Sequence, residues 1–353
     1  METPRMPQAA EKWSVEILRS VSPSVWNSWV SKAEAGTLFQ TTFWSDRLCE
    51  LWDCRPFFFV VRRCGFDLPA LVLLGFDIHS DLIVSDSTPV SLRLTESIRK
   101  LLGIRRRFQW FGQPALIHQD AGDDGYRLLL TEIEELCKST RIPAIAPSEL
   151  PDSAKASIPV HWESKQWATF VVDLQQDEES LWRNLKKTAR KAIRDARESG
   201  IVVRQINSLE ELRDYYQFVC QRNPRYGKRT YGFTDLETMW RHFRPNAVFE
   251  TFVAEKGGEP LAGLSVWGYN RLISELGSFQ SEKSFLEKLY GSDLIKWEVL
   301  RWGSRKGCRA FDLAGVSPEP RTPKEQGIRQ FKEKWGGGYR PYWIVSWRNT
   351  GGH

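Results

Sequence analysis

Both halves of this chain lay out their elements in the same order: a strand, helices, a meander of strands, a helix, a strand and a helix. In the first half, WSVEILRS reads as a strand, and helical patterns cover residues 22–36 and 42–53. FFFVVRRCGFDLPALVLLGFD then reads as a hairpin with a polar turn. A short helix near 92–103, a strand at FQWFGQPALI and an amphipathic helix over 121–140 follow. In the second half, WATFVVDL is a strand, 177–199 a helix and GIVVRQI a strand. Helices near 208–221 and 234–243 lead to VFETFVAEKGGEPLAGLSVWG, a hairpin turning at Gly257-Gly258. RLISELGSF is a further strand, 285–306 a helix, RAFDLAG a strand, 323–335 a helix and YWIVSW a last strand. This order implies an α/β or α+β chain with a mostly antiparallel, mixed sheet in each half. Two domains are expected, 1–160 and 161–353, joined through the proline-rich stretch RIPAIAPSELPDSAKASIPVHW. No residue-level repeat accompanies the shared order, so only architecture argues for a duplication.

A length of 353 residues supports two ordinary domains. A composition of 41% hydrophobic and 27% charged residues is that of a globular protein. No apolar run approaches the roughly 20 residues of a membrane span, and PALVLLGF is only a strand length. The start, METPRMPQAAEKW, lacks the apolar core of a signal peptide, so a cytoplasmic location is expected. The six cysteines are scattered and form no CxxC pair, and the five histidines do not cluster with them. Reduced, idle thiols are the better reading, and a metal site is not expected. A net charge of +6 permits a polyanionic partner without demanding one. Sixteen tryptophans are many, and tryptophan favours both cores and ligand sites.

The stretch DEESLWRNLKKTARKAIRDARESG carries the strongest charge pattern. Asp177 is a fair N-cap, acids occupy the first turn, and Gly200 lies past the end. Leu181, Leu185, Ala189, Ala192, Ile193 and Ala196 share one face at helical spacing. Arg183, Lys186, Lys187, Arg190, Lys191, Arg194 and Arg197 share the other, with Asp195 the only acid in that span. Such a face repels itself unless an anion or acids from elsewhere relieve it, and arginine forks suit a phosphate or diphosphate. A solvated face with distant salt bridges is the equal alternative.

Two more stretches suggest chemistry. FDLAGVSPEPRTPKEQGIRQFKEKWGG, from Phe311 to Gly337, runs from a strand through a proline-rich loop into a short basic helix. Its ends carry Asp312 and Lys332, and a loop held to one path between charged groups often lines a site. Asp312, at the end of a strand, is either a base or an acid that fixes the loop. RNPRYGKRTYGF interleaves Arg225, Lys228 and Arg229 with Tyr226, Tyr231 and Phe233. Cations beside aromatics suit single-stranded RNA or a nucleotide diphosphate, and an ordinary basic loop is the equal alternative. No Ser-His-Asp or Cys-His arrangement is visible.

In its second half the chain resembles the Fem-type peptidyltransferases, the aminoacyl-tRNA-dependent ligases that extend peptidoglycan cross-bridges. The resemblance rests on Arg190, Ala196 and Gly200 before IVV. It rests also on Asp312, Gly315, Gly327, Phe331, Lys332 and Gly336, in that order. It is good over 168–204 and 308–340. In the first half only TLFQTTFW, with Gln40 and Trp44, and FGQPALI, with Gly112 and Pro114, look similar. The family often has a lysine after that tryptophan for a substrate phosphate; here Arg47 stands one position off. An acid often follows the Gly-Pro segment; here Ile117-His118 stands there, with Asp120 close by. A long helical insertion found in several members has no room between 200 and 311.

The resemblance implies two tandem acyltransferase domains of the acetyltransferase (GNAT) type, the last strand being free to cross back to the first domain. It implies transfer of an amino acid from aminoacyl-tRNA to an amine of a peptide-type acceptor. That acceptor would be a UDP- or lipid-linked cell-wall precursor, the latter with peripheral membrane contact, or a peptide natural product. Lys332 would stabilise the oxyanion and Asp312 would manage a proton or fix the loop. Arg190, Lys187, Arg194, Arg225, Tyr226, Arg229, Tyr231, Phe331, Gly315 and Arg47 would bind substrate. Aminoacyl-tRNA would be a co-substrate, with no cofactor and no metal. Two rivals stay open. One is an acyl-CoA-dependent N-acyltransferase, whose Q/R-x-x-G-x-G/A loop finds its nearest and imperfect likeness in QWFGQP. The other is a non-catalytic protein that binds RNA or a protein partner.

Overall fold

A computed structural model describes residues 13–34, 37–81, 105–118, 121–222 and 232–349. The helix expected near 92–103 lies outside them. The chain divides into unit 1, Met1–Gln166 with Tyr342–His353, and unit 2, Trp167–Pro341.

Unit 1 begins with β1 (Trp13–Leu18), α1 (Pro23–Lys32) and α2 (Thr42–Leu51). β2 (Asp53–Arg63) and β3 (Leu71–Ser80) form the expected hairpin. The strand expected over FQWFGQPALI is two pieces, β4 (Arg107–Trp110) and β5 (Ala115–Leu116). Gly112 separates them at φ 59°, where an added Cβ would meet the Phe39 ring at 2.6 Å. α3 (Gly122–Ser139) covers the sheet with Leu129, Leu130 and Ile133 buried. β6 (Ala144–Pro151) and a 3₁₀ turn, Asp152–Ser157, follow. The sheet runs β1-β2-β3-β4-β6 and ends on β13 (Gly338–Arg348), whose residues from Tyr342 onward belong to this unit. All its pairings are antiparallel except β4 with β6.

β6 corrects the linker reading of RIPAIAPSELPDSAKASIPVHW. Prolines are tolerated in a strand at a bulge, and Pro147 sits at one: the register against β13 shifts between Val345 and Trp347.

Unit 2 contains β7 (Glu163–Asp173) from Trp167 onward, α4 (Glu178–Asn184), α5 (Lys187–Glu198), β8 (Val202–Gln205), α6 (Leu209–Arg222) and α7 (Phe233–Phe243). β9 (Val248–Lys256) and β10 (Glu259–Tyr269) turn at Gly257-Gly258, both at positive φ as the hairpin requires. β11 (Leu272–Gln280), α8 (Glu282–Leu286), α9 (Gly291–Arg305), β12 (Ala310–Val316) and α10 (Pro323–Glu333) complete it. The order is β8-β9-β10-β11-β12-β7, antiparallel except β11 with β12. Five strands thus match in order between the units, β1-β2-β3-β4-β6 with β8-β9-β10-β11-β12, while the sixth is the last strand of the chain in unit 1, β13, and the first strand of unit 2, β7. The core packs α5 and α9 on the sheet through Ala189, Ile193, Ile295, Val299 and Leu300.

Two expected helices are each broken. The helix read over 177–199 is α4 and α5, because Leu185 and Lys186 are extended (ψ 141° and 152°). Leu185 buries in the core, and Lys186 N–H donates to the Lys334 carbonyl at 2.9 Å instead of continuing the helix. The helix read over 285–306 is α8 and α9, separated by Lys288 and Tyr290 in the left-handed region.

Candidate active site in unit 2

The proline-rich loop is fixed from both ends. Thr322 caps α10 by accepting from Glu325 N–H at 3.2 Å, while the Glu325 carboxylate accepts from Thr322 N–H at 3.1 Å. These two bonds form a capping box, and Pro323 follows in the first turn, where its missing N–H costs nothing. Arg329 reaches back to the Pro318 carbonyl at 2.6 Å. Beyond the helix, Gly336 stands at φ 75° with Asn184 O 2.7 Å from any added Cβ, so only glycine fits. These constraints hold α10 against the end of β12.

There β12 bulges. Its register against β7 shifts between Asp312 and Gly315, and Ala314 lies at φ 63°. Asp312 fixes the bulge: its Oδ1 accepts from Ala314 N–H at 2.8 Å and hydrogen-bonds the Thr169 hydroxyl. Thr169 Oγ1 is also 2.9 Å from the Ala314 carbonyl. The turned carbonyls of Ala314 and Gly315 accept from Lys332 Nζ at 2.9 and 2.8 Å. Lys332 and Asp312, twenty positions apart in sequence, therefore share one backbone bend. Gly315 supplies a carbonyl to it, and Phe331 packs edge-on against buried Trp335, 5.9 Å between ring centres.

Burial dominates the electrostatics. It pushes the Asp312 carboxyl above its ordinary range, against the stabilising hydrogen bonds from Thr169 and Ala314 and the charge of Lys332. It pushes the Lys332 ammonium down, which the negative charge of Glu275 opposes. Glu275 is itself ion-paired to Lys296, which is only 2% exposed and sits 5.3 Å from the Phe311 ring centre. A second buried pair joins Lys334 to Asp293 in the first turn of α9. Next to this cluster lies a cavity of about 300 Å³, lined by Leu264, Phe279, Gln280, Ile295, Lys296 and Phe331. That volume is the lower end of small-ligand sites.

The basic helix behaves differently from its sequence reading. Arg190 Nη1 donates to the Arg183 and Leu185 carbonyls at 2.9 and 2.8 Å, capping the end of α4. Lys191 pairs with Asp195, Arg197 with Glu298, and Lys186 with Glu333. Asp195 of the same helix and two acids from other elements, Glu298 and Glu333, thus pair three of the seven cations. Lys187 and Arg194 are exposed and have no ion pair among the described residues. Arg47 lies on α2 in unit 1, 4% exposed, its guanidinium 5.4 Å from the Trp44 ring centre. Gln40 is likewise interior: its side chain accepts from Leu74 N–H and donates to the Phe111 carbonyl. Arg225, Tyr226, Arg229 and Tyr231 lie outside the described residues.

Sequence reasoning missed Thr169, Glu275 and Lys296. A signal existed for the last two. Glu275 interrupts the apolar strand RLISELGSF, and Lys296 sits among the buried Leu294, Ile295, Trp297, Val299 and Leu300 of α9. A charge embedded among such residues needs a buried partner.

Comparison with known proteins adds to this geometry. The sequence model of the FemAB family matches residues 161–230. No curated protein sequence matches the chain. The crystal structure of FemX superposes with a TM-score of 0.67 at 12% identity, covering 93% of this chain and 96% of that one. The L-PGS structure from Bacillus licheniformis gives 0.53 at 14% identity, covering 93% and 92%. A tandem GNAT protein from the clavulanic acid biosynthesis pathway gives 0.54 at 11% identity, covering 97% and 100%. At these identities the likeness is one of fold. The resemblance to the Fem-type family, with its GNAT-like fold, is thus shown: in sequence over residues 161–230 and in architecture over most of the chain.

Proposed function

We propose that the protein is an aminoacyltransferase that moves an amino acid from aminoacyl-tRNA to an amine of a peptide-type acceptor, forming an amide. A peptidoglycan precursor or a peptide natural product fits this acceptor class. The observation that carries the reading is Lys332, a half-buried ammonium anchored on the two carbonyls of a strand bulge. The FemAB match and the FemX-like fold support it.

The ester of aminoacyl-tRNA is already activated. The acceptor nitrogen attacks the ester carbonyl, the bond to the ribose oxygen breaks, and the proton lost by the amine ends on that oxygen. Catalysis then consists of alignment and of charge stabilisation at the tetrahedral oxygen. Two N–H groups of Lys332 are held by Ala314 and Gly315, which leaves one for the oxyanion. Asp312 acts through the backbone, holding Ala314 so that both carbonyls face the ammonium. In this scheme aminoacyl-tRNA is the co-substrate, and no further cofactor enters.

The test offers the protein radiolabelled aminoacyl-tRNA and, separately, labelled acyl-CoA, each with peptidoglycan precursors and short peptides as acceptors. The expected result is label in the acceptor from the tRNA pool, abolished by prior ribonuclease. Label from the CoA pool alone would overturn the donor and leave the fold untouched.

A further inference from the structure

None of the six cysteines is in a disulfide, and they differ sharply in setting. Cys137 and Cys308 are buried, and burial pushes the Cys137 thiol up to about 12. Cys64 is exposed in the β2–β3 turn, and Cys220 is half-buried on α6. Cys49 and Cys54 meet. Their sulfurs are 3.8 Å apart, with Cys49 exposed and Cys54 half-buried. The local fold makes the encounter. α2 ends at Leu51, Trp52 is extended (φ −120°, ψ 152°), and the chain reverses into β2 at Asp53. That reversal lays the last turn of the helix over the first residues of the strand. The β2–β3 register shifts between Asp53 and Cys54, so the backbone at Cys54 departs from the regular ladder.

We propose that Cys49 and Cys54 are a thiol-modification site, an oxidisable dithiol that reacts with low-molecular-weight disulfides. Cys49, the exposed member, attacks one sulfur of the small disulfide; a Cys49 mixed disulfide forms and one small thiol leaves. Cys54 then attacks Cys49 Sγ, closes the Cys49–Cys54 bond and releases the second small thiol. Two protein thiols are oxidised and one small disulfide is reduced to two thiols. A sulfur–sulfur gap of 3.8 Å closes to a bond of about 2.05 Å by side-chain rotation. The order of attack follows from exposure, and from the Cys54 thiol and the Ser45 hydroxyl, whose hydrogen bonds favour the Cys49 thiolate against burial and the charge of Asp46. The hydrogen bond to Cys49 and burial, with smaller contributions from Asp53 and Asp77, hold Cys54 as the thiol while Cys49 is unmodified; in the Cys49 mixed disulfide that hydrogen bond to a thiolate is gone, and Cys54 loses its proton as it attacks.

Trypsin cannot cut at Arg55, because Pro56 follows, so Leu48–Arg62 is released as one peptide with only these two cysteines. The native full chain is treated with glutathione disulfide, alkylated with iodoacetamide, digested and weighed. The expected peptide has lost two hydrogens and carries no alkyl group, and dithiothreitol before alkylation restores two alkyl groups. Cys54→Ser is expected to trap one glutathione on Cys49, while Cys49→Ser leaves Cys54 alkylatable. A doubly alkylated peptide after oxidation, or a glutathione adduct that persists on Cys49 in the unsubstituted chain, would overturn the proposal. So would a Cys54→Ser chain whose Cys64 is modified ahead of Cys49.

Discussion

The two units bend the same strand of the same sheet and hold the bend with different chemistry. In unit 1 the bent strand is β6, parallel to β4 and antiparallel to β13. Neutral donors satisfy its carbonyls: Gln109 Nε2 donates to Pro147 O at 3.3 Å, and the Trp110 indole N–H to Glu149 O at 2.8 Å. In unit 2 the bent strand is β12, parallel to β11 and antiparallel to β7, and the donor is the Lys332 ammonium. A neutral donor only completes a hydrogen bond. A half-buried ammonium completes two and still presents charge in a site where charge is poorly screened. One backbone solution is therefore satisfied by neutral donors in unit 1 and by a charged group in unit 2.

The sharpest break in this comparison is Lys332→Met. If the ammonium stabilises the oxyanion, transfer falls by ~10² or more with aminoacyl-tRNA affinity retained. Full activity in the labelled-transfer assay would reduce Lys332 to a hydrogen-bond donor like Trp110. The pH profile adds to this. Burial places the Lys332 pKa below the ordinary 10.5, so its charged form is lost as pH rises through that lowered value. Transfer is expected to fall on the alkaline side earlier than an exposed lysine would dictate. Lys332→Arg, charged to beyond pH 12 or so, moves the fall upward.

Arg190→Ala comes next. Its guanidinium caps α4, and losing hydrogen bonds of that kind costs about 1.5–3 kcal/mol, read as a lower urea midpoint. The salt dependence of tRNA binding should hardly change. Lys187→Ala with Arg194→Ala should do the reverse, flattening the salt slope by up to roughly 2 at constant stability. The opposite pattern would return Arg190 to anion contact. Trp110→Phe, the matching change in unit 1, removes the indole hydrogen bond to the Glu149 carbonyl and costs about 0.5–1.5 kcal/mol, with kcat unaltered.

Local signals made much of this fold legible. The Gly257-Gly258 turn, the Asp177 N-cap and the apolar stripe of Ala189 and Ile193 each show in a short window. What stayed hidden depends on distant partners. No glycine or proline marks the break at Leu185; the Lys334 carbonyl and the Arg190 side chain make it. Prolines disguised β6 as a linker, because only its pairing with β13 shows that Pro147 sits at a bulge. In the site, Asp312 and Lys332 were legible as the ends of a constrained loop. Lys296 and Glu275 were not, because their pairing joins a helix to a strand 21 positions away.

The smallest expected effect probes the bend itself. Ala314 is an L-residue at φ 63°, a conformation that costs alanine roughly 1–2 kcal/mol and glycine almost nothing. Glycine also gives the unfolded chain more freedom, which offsets about 0.5–1 kcal/mol of that gain. Ala314→Gly should therefore stabilise the chain by at most about 1.5 kcal/mol in urea denaturation. The two carbonyls that hold Lys332 would then hang on a looser bend, and kcat is expected to fall several-fold while KM stays. Unchanged kcat at higher stability would mean that Asp312 and Thr169 fix the bulge without help from the alanine side chain. A lower stability would mean that the left-handed residue is not the strained point of β12.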